Sequence, residues 1–278
     1  MGKSQKLYLS IIILCFCLSC ENKPSSNDIT EKRVLAKKTY KKAIHFMQGS
    51  TPFQNGIAEA VAIDSTYQEA VYELSVAHLK RGMPNKWLPQ YNKAVKLDSV
   101  TRIPWRGYLY LWFYRDYKKA IDDFDASDKL TPKYLDAPQG HSVDYWRGIA
   151  YLGLNNYGKS NWYFEKHIKK ESEEFGEDYV DITAFLYNGI AYFESGNYEN
   201  ALINFEKQLK HGKNLSADAK YYKSIILKSK DKISEAKILI DSAIDDFNMG
   251  YYNNRAYVET LRQIYLEDLK NFKNQLTN

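Results

Sequence analysis

The chain is poor in cysteine, and the positions of its few cysteines are informative. Of 278 residues only three are cysteine, namely Cys15, Cys17 and Cys20. Because all three lie within the first twenty residues, the rest of the chain has no disulfide framework. This excludes the small disulfide-stapled folds that are common among secreted domains.

A strong charge of one sign and the sequence signatures of catalysis are also missing. The formal net charge is +5, which is too small to indicate a nucleic acid as the partner. The five histidines are scattered without ligand spacing, and no zinc-protease motif, nucleophile elbow or phosphate-cradling glycine loop is present. We therefore predict no catalytic residue, no metal, no cofactor and no nucleic acid partner, and expect that the protein is not an enzyme.

Long apolar runs are absent except at the start of the chain. Residues 7–18 are almost wholly apolar, follow Lys3 and Lys6, and precede Ser19 and Cys20. A run of this length is too short to span a bilayer, which needs about 20 residues. A basic start, a short apolar stretch and a small residue before the cleavage point are typical of a secretory signal.

The end of this segment resembles a bacterial lipoprotein box, although Cys17 stands where an aliphatic residue is usual. The resemblance implies a signal peptide over residues 1–19 and lipidation of Cys20. It also implies a tether over 20–33 and an anchor in the bacterial cell envelope, at the outer membrane. Ordinary secretion with cleavage elsewhere is the alternative.

An internal repeat is the strongest feature of the remaining chain. The phrase Gly-Ile-Ala-Tyr at residues 148–151 returns at 189–192, and Asn-Tyr at 156–157 returns at 197–198. Phe-Glu-Lys at 164–166 returns at 205–207, again at the same offset. Apolar residues recur every three to four positions, which predicts paired amphipathic helices stacked as a solenoid.

The repeat resembles the tetratricopeptide repeat (TPR), whose signature runs through an aromatic, a glycine, a tyrosine, an alanine and a phenylalanine. The residues that match in order are Phe185, Gly189, Tyr192, Ala201 and Phe205. Further units match less fully at 34–67, 68–100, 101–134, 141–174 and 217–250. The resemblance implies an all-α TPR solenoid of about six helix-turn-helix repeats over 34–250. Residues 251–278 are predicted to form one C-terminal capping helix.

Each first helix of a pair carries a second apolar stripe, and the resemblance puts these stripes in or near a concave groove. The predicted partner-binding residues are Tyr72, Trp105, Leu109, Trp112, Tyr145, Ile149, Leu186, Ile190 and Phe193. Trp105, Trp112, Tyr145 and Phe193 are expected to be the most exposed. The alternative is that the stripes are buried against the next repeat.

These observations predict an envelope lipoprotein that serves as a scaffold or adaptor for another protein or peptide segment. The competing hypothesis is a glycan- or nutrient-binding lipoprotein that stacks sugars on Trp105, Trp112 or Trp146. Solvent-exposed, coplanar tryptophan faces would favour sugar, and a continuous apolar trough would favour a peptide. A basic stretch over 32–42 either leans on anionic lipid or is a solvated helix face.

Overall fold

The computed structural model describes residues 26–276, with side chains from residue 28 onward. Within that range the chain is helical and contains no strand. The helices are α1 Ser26–Ala43, α2 Thr51–Ile63, α3 Gln68–Lys80, α4 Pro84–Leu97, α5 Ser99–Tyr114, α6 Tyr117–Leu130, α7 Val143–Gly153, α8 Tyr157–Phe175, α9 Ile182–Glu194, α10 Tyr198–His211, α11 Ala217–Ser229, α12 Ile233–Asn248 and α13 Leu266–Asn274. None of the described helices is long and apolar enough to cross a bilayer.

Consecutive helices pack as six pairs, from α1 with α2 to α11 with α12, and each pair packs on the next. The predicted all-α solenoid of six helix-turn-helix repeats is therefore confirmed. One continuous apolar core runs from the second pair to the fifth and into α11, with smaller clusters at the two ends.

The repeated phrases have local physical causes. Gly148 and Gly189 lie where the two helices of a pair cross, and a side chain there would meet the ring of Phe164 or Phe205 at under 3 Å. Only glycine lets the helix axes approach this closely. The repeated asparagine begins the second helix: the side chain of Asn197 accepts a hydrogen bond from the backbone N–H of Asn200, as a helix N-cap does.

The first helix begins earlier than the sequence predicts. Residues 26–33 were expected to belong to a tether, but they form the first two turns of α1. Lys32 pairs with Asp28 one turn earlier, at 3.3 Å, and the Arg33 guanidinium pairs with Asp64 at the end of α2. These contacts tie the early turns to the first repeat, so any tether is shorter than predicted. The predicted signal peptide and Cys20 lie outside the described residues.

The end of the chain departs from the prediction in a more consequential way. Of residues 251–278, only Leu266–Asn274 are helical, while 249–265 form a long loop without regular structure. Tyr257 and Arg262 within it have positive φ angles of 74° and 57°, which a continuous helix does not permit. A single capping helix over the whole stretch is therefore wrong.

The short helix α13 nevertheless covers the last pair. Leu269 and Phe272 are buried against α12, where Ala236 and Ile240 complete a small apolar cluster. The Lys273 ammonium lies 2.6 Å from the Asp241 carboxylate and fixes the outer side of the helix. Covering the open end of a solenoid is the role expected of a terminal helix.

Candidate functional site

The first helices of successive pairs, α3, α5, α7, α9 and α11, share one face of the solenoid, here called the inner face. Among the predicted partner-binding residues, six are buried: Leu109, Trp112, Tyr145, Ile149, Leu186 and Ile190. The other three, Tyr72, Trp105 and Phe193, are partly buried. The expectation that Trp112 and Tyr145 would be among the most exposed is wrong, since they are 7% and 3% exposed.

The loop at residues 249–265, here called the groove loop, causes part of this burial. It leaves the end of α12, crosses the inner face as far as α3, and returns to the start of α13. Its first contact is a backbone hydrogen bond of 2.8 Å from Ala217 N–H to the Tyr251 carbonyl. The inner face is thus occupied by an irregular segment of the same chain.

Arg255 is at the centre of this contact. Its guanidinium carbon lies 4.7 Å from the ring centre of Trp112, 5.6 Å from Trp146 and 5.8 Å from Tyr108. These three residues, here called the aromatic cage, come from α5 and α7. A guanidinium held over aromatic faces is stabilised by about 0.5–2 kcal/mol, more as it is shielded from water, and Arg255 is partly buried. Burial raises the pKa of the Tyr108 hydroxyl, while the nearby Arg255 acts in the opposite direction.

The outgoing limb of the loop is fixed by Asn253. Its backbone N–H donates to the Asp218 carboxylate at 2.7 Å, and its side-chain amide donates to the Tyr187 hydroxyl at 2.9 Å. Burial raises the pKa of Asp218 to about 6, although the hydrogen bond from Asn253 favours the ionised form. The loop therefore satisfies two polar groups that α9 and α11 would otherwise leave buried.

The returning limb combines one apolar anchor with ionic contacts. Leu261 is 5% exposed and lies beside Trp112 and Ile149. Arg262 grips the Glu194 carboxylate through two nitrogens, at 2.6 and 2.9 Å, in a bidentate pair. The same guanidinium donates to the Asn155 side chain at 2.9 Å.

The tip of the loop and its base have separate contacts. At the tip the ammonium of Lys80, at the end of α3, lies 4.6 Å from the ring centre of the exposed Tyr257. At the base the Thr260 hydroxyl donates to the Asn253 carbonyl at 3.0 Å and joins the two limbs. The two limbs of the loop are therefore joined at the base, and the loop contacts the first helix of five of the six pairs.

The remaining predicted residues contact the solenoid itself. The Tyr145 ring lies between His141, 4.3 Å away between centres, and Phe164, and its hydroxyl is 2.7 Å from the Thr183 hydroxyl. Tyr72 lies under the Arg102 guanidinium at 4.1 Å. These positions belong to the packing between repeats, as the alternative interpretation of the stripes had it.

Several residues of the site were not predicted from the sequence. Tyr108 lies one turn before Trp112 on α5, so helical spacing could have placed them together. Asp218 and Tyr187 carried no such signal, because their role depends on where residue 253 lies. In the described part of the chain no group of three or more histidine, cysteine or acidic residues is arranged to hold a metal ion.

The stacked pairs, the glycine–phenylalanine crossings and the shared inner face define a TPR-type α-solenoid. No family model and no curated protein sequence matches the chain. Among solved structures it is similar to Pseudomonas aeruginosa PilF, with a TM-score of 0.61 and 14% identity over 89% of this chain and 99% of that one. It is similar also to PilW, a widely conserved type IV pilus biogenesis factor, with a TM-score of 0.60 and 14% identity over 77% and 94% of the two chains.

A third similar structure is YrrB, a TPR protein with an unusual peptide-binding site. It has a TM-score of 0.50 and 21% identity over 68% of this chain and 91% of that one. At such identities these similarities establish the fold alone. They agree with the TPR resemblance that the repeated phrases indicated.

Proposed function

We propose that the protein is a lipid-anchored adaptor of the bacterial envelope, which holds an extended segment of another envelope protein on its inner face. The observation that carries this proposal is the groove loop. A chain segment without regular structure lies across the first helices and is held there by aromatic, apolar and bidentate ionic contacts. A surface with this chemistry suits a peptide better than it suits a small polar ligand.

The solved structures support the general class of function. PilW acts in the biogenesis of type IV pili, and YrrB has a peptide-binding site. PilW and YrrB share the fold of the present chain. We therefore propose that this chain also binds a segment of another protein and catalyses no reaction.

The beginning of the chain supports attachment to a membrane. Only five residues separate Cys20 from the first turn of α1, so a lipid on Cys20 would hold α1 within about 20 Å of the bilayer surface. The outer face of α1 is suited to that place, because Val34 is 62% exposed beside four lysines, at 37, 38, 41 and 42. Lysines near an anionic surface each contribute about 1 kcal/mol of attraction.

The sugar-binding hypothesis has less support from the geometry. Trp146 is 1% exposed, and Trp112 is covered by Arg255. The planes of the two rings are inclined by 63°, so they offer no flat platform for a sugar ring. Trp105 is partly buried and meets Tyr108 edge to face.

Affinity capture from cross-linked envelopes tests the proposal. Full-length protein would be compared with a Trp105→Ala/Trp112→Ala variant and with Trp162→Ala as the control, since Trp162 is 55% exposed on α8 and distant from the groove loop in its contacts. We expect one protein in near-equal amount with the wild type and the control, and its loss with the double variant. Recovery of no protein with any of the three would refute the adaptor function, provided that all three remain helical by circular dichroism.

A further inference from the structure

The groove loop has an unusual relation to the solenoid it covers. Connections longer than about 12–15 residues without regular structure are uncommon inside compact folds and are usually functional. The groove loop crosses the inner face and returns, although the two helices that it joins, α12 and α13, are in direct contact. A far shorter connection would therefore serve to join these two helices.

The ends of the loop are fixed independently of its middle. Tyr251 is held by the backbone of Ala217, and α13 is held on α12 by Leu269 and Phe272. The segment between them can therefore leave the inner face while both terminal helices stay in place. Part of it is open to solvent, since Asn254, Ala256, Tyr257 and Glu259 are exposed, whereas Thr260, Leu261 and Ile264 are buried.

Three side chains of the loop make specific contacts with the inner face, in addition to the hydrogen bonds of Asn253 and the contact of Tyr257 with Lys80. Arg255 fills the aromatic cage, Leu261 lies beside Ile149, and Arg262 pairs with Glu194. Contacts of this kind are the anchors expected of a bound peptide, in which a few side chains carry most of the binding energy.

We propose that the groove loop is an internal occupant of the binding site, and that the aromatic cage is the recognition pocket for an arginine in an extended segment of the partner. Displacement of the loop opens the cage, and the partner's arginine takes the place of Arg255. The inference rests on the proposed function, and it adds the chemistry of the partner and the competitor that regulates access.

A competition experiment with a synthetic peptide tests this directly. The probe is a fluorescent peptide of residues 251–263 with capped ends, the arginine peptide, and in a second peptide, the alanine peptide, only Arg255 is replaced by alanine while Arg262 is kept. Binding is measured by fluorescence polarisation to the detergent-solubilised full chain. The proteins are the wild type, Arg255→Ala, Arg255→Ala/Trp112→Ala, and Asn254→Ala as the matched loop control, since the exposed Asn254 donates its side-chain hydrogen bond to the Tyr252 carbonyl within the loop.

We expect the Arg255→Ala protein to bind the arginine peptide at least tenfold more tightly than the wild type or the control does. The Arg255→Ala protein should bind the alanine peptide at least tenfold more weakly than the arginine peptide. The Arg255→Ala/Trp112→Ala protein should bind neither peptide. Equal binding of both peptides to Arg255→Ala would refute the arginine pocket. Equal binding to wild type and Arg255→Ala would refute the competition.

Hydrogen exchange of the wild type gives a second test that needs no variant. Backbone amides of residues 253–263 should exchange by local opening, faster than those in the middle of α5 and α7. Exchange as slow as in those helices would make the loop a permanent part of the core and refute displacement. A dimer in which each loop occupies the other copy, detected by light scattering, would replace internal competition with exchange between copies.

The two proposals can fail separately. Peptide binding that follows this pattern, without any protein captured from the envelope, would leave the cage and its competitor standing and remove the adaptor function. A captured partner that binds the wild type and Arg255→Ala equally would support the adaptor function and refute the competition by the groove loop.

Discussion

The close approach of the two helices in a pair leads to a sharp prediction about stability. One added methyl group should destabilise the protein at one glycine and stabilise it at another. At Gly189 an added Cβ would lie 2.6 Å from the nearest ring atom of Phe205. At Gly158, on the exposed start of α8, the same atom would have no neighbour within 4 Å. The chemical change is identical at both sites.

The magnitude follows from what surrounds the ring. To restore an ordinary contact, Phe205 would have to move by about 0.8 Å. It is fully buried, and it stacks on Tyr222 with ring centres 5.6 Å apart, so it cannot yield freely. Overpacking of a tight core costs about 1–3 kcal/mol, and alanine recovers up to about 1 kcal/mol through its helix propensity. The net destabilisation is about 0–2 kcal/mol, and we expect about 1 kcal/mol for Gly189→Ala.

Gly158→Ala should instead stabilise by about 0.5 kcal/mol, since only the propensity gain applies. Thermal unfolding followed by circular dichroism would then separate the two variants by about 3–6 °C in a chain of this size. Equal midpoints, or a higher midpoint for Gly189→Ala, would refute the crossing geometry. Phe205→Leu should lower the stability of the Gly189→Ala variant by less than it lowers the stability of the wild type. A double-mutant cycle measures this difference.

Two further predictions concern pH and the membrane. Burial, aided by nearby His141, lowers the pKa of His167 from 6.5 to about 4, so the unfolded chain takes up this proton first. Its contribution to stability is complete above pH 6.5 and declines by up to about 3 kcal/mol as the pH falls to 4. Denaturant titrations at several pH values should show a weaker pH dependence for His167→Gln, and an unchanged profile would contradict this cause. For the proposed anchor, Cys20→Ser should move the protein from the membrane to the soluble fraction, and retention in the membrane would argue against lipidation.

The solenoid could be predicted because its determinants are local and repeated. Gly189 with Phe205, and the capping Asn197, repeat the packing and capping of the unit before them. Periodicity within one helix pair is enough to reveal them, and tandem copies fix the register. The partial burial of Trp105 and the complete burial of Tyr145 were harder, because exposure depends on which neighbour covers each ring.

The groove loop could not be predicted, because its conformation is set by distant partners. Val258, Leu261 and Ile264 have spacings that suit a helix, and local propensity favoured one. The irregular loop forms instead because Leu261 packs on the apolar inner face. Arg255 also contacts the aromatic cage, and Arg262 pairs with Glu194. Tertiary contacts of this range leave no periodic signal in the sequence.

A final consequence of the loop concerns folding cooperativity. In a stack of repeats each unit contacts only its neighbours, so unfolding can start at one end and proceed unit by unit. Here Tyr257 reaches Lys80 across 177 positions, and Glu259 reaches Arg115 across 144. These connections raise the contact order, which slows folding. While the loop is in place they connect the second repeat to the last, so we expect these repeats to unfold together, and we expect release of the loop to restore stepwise unfolding.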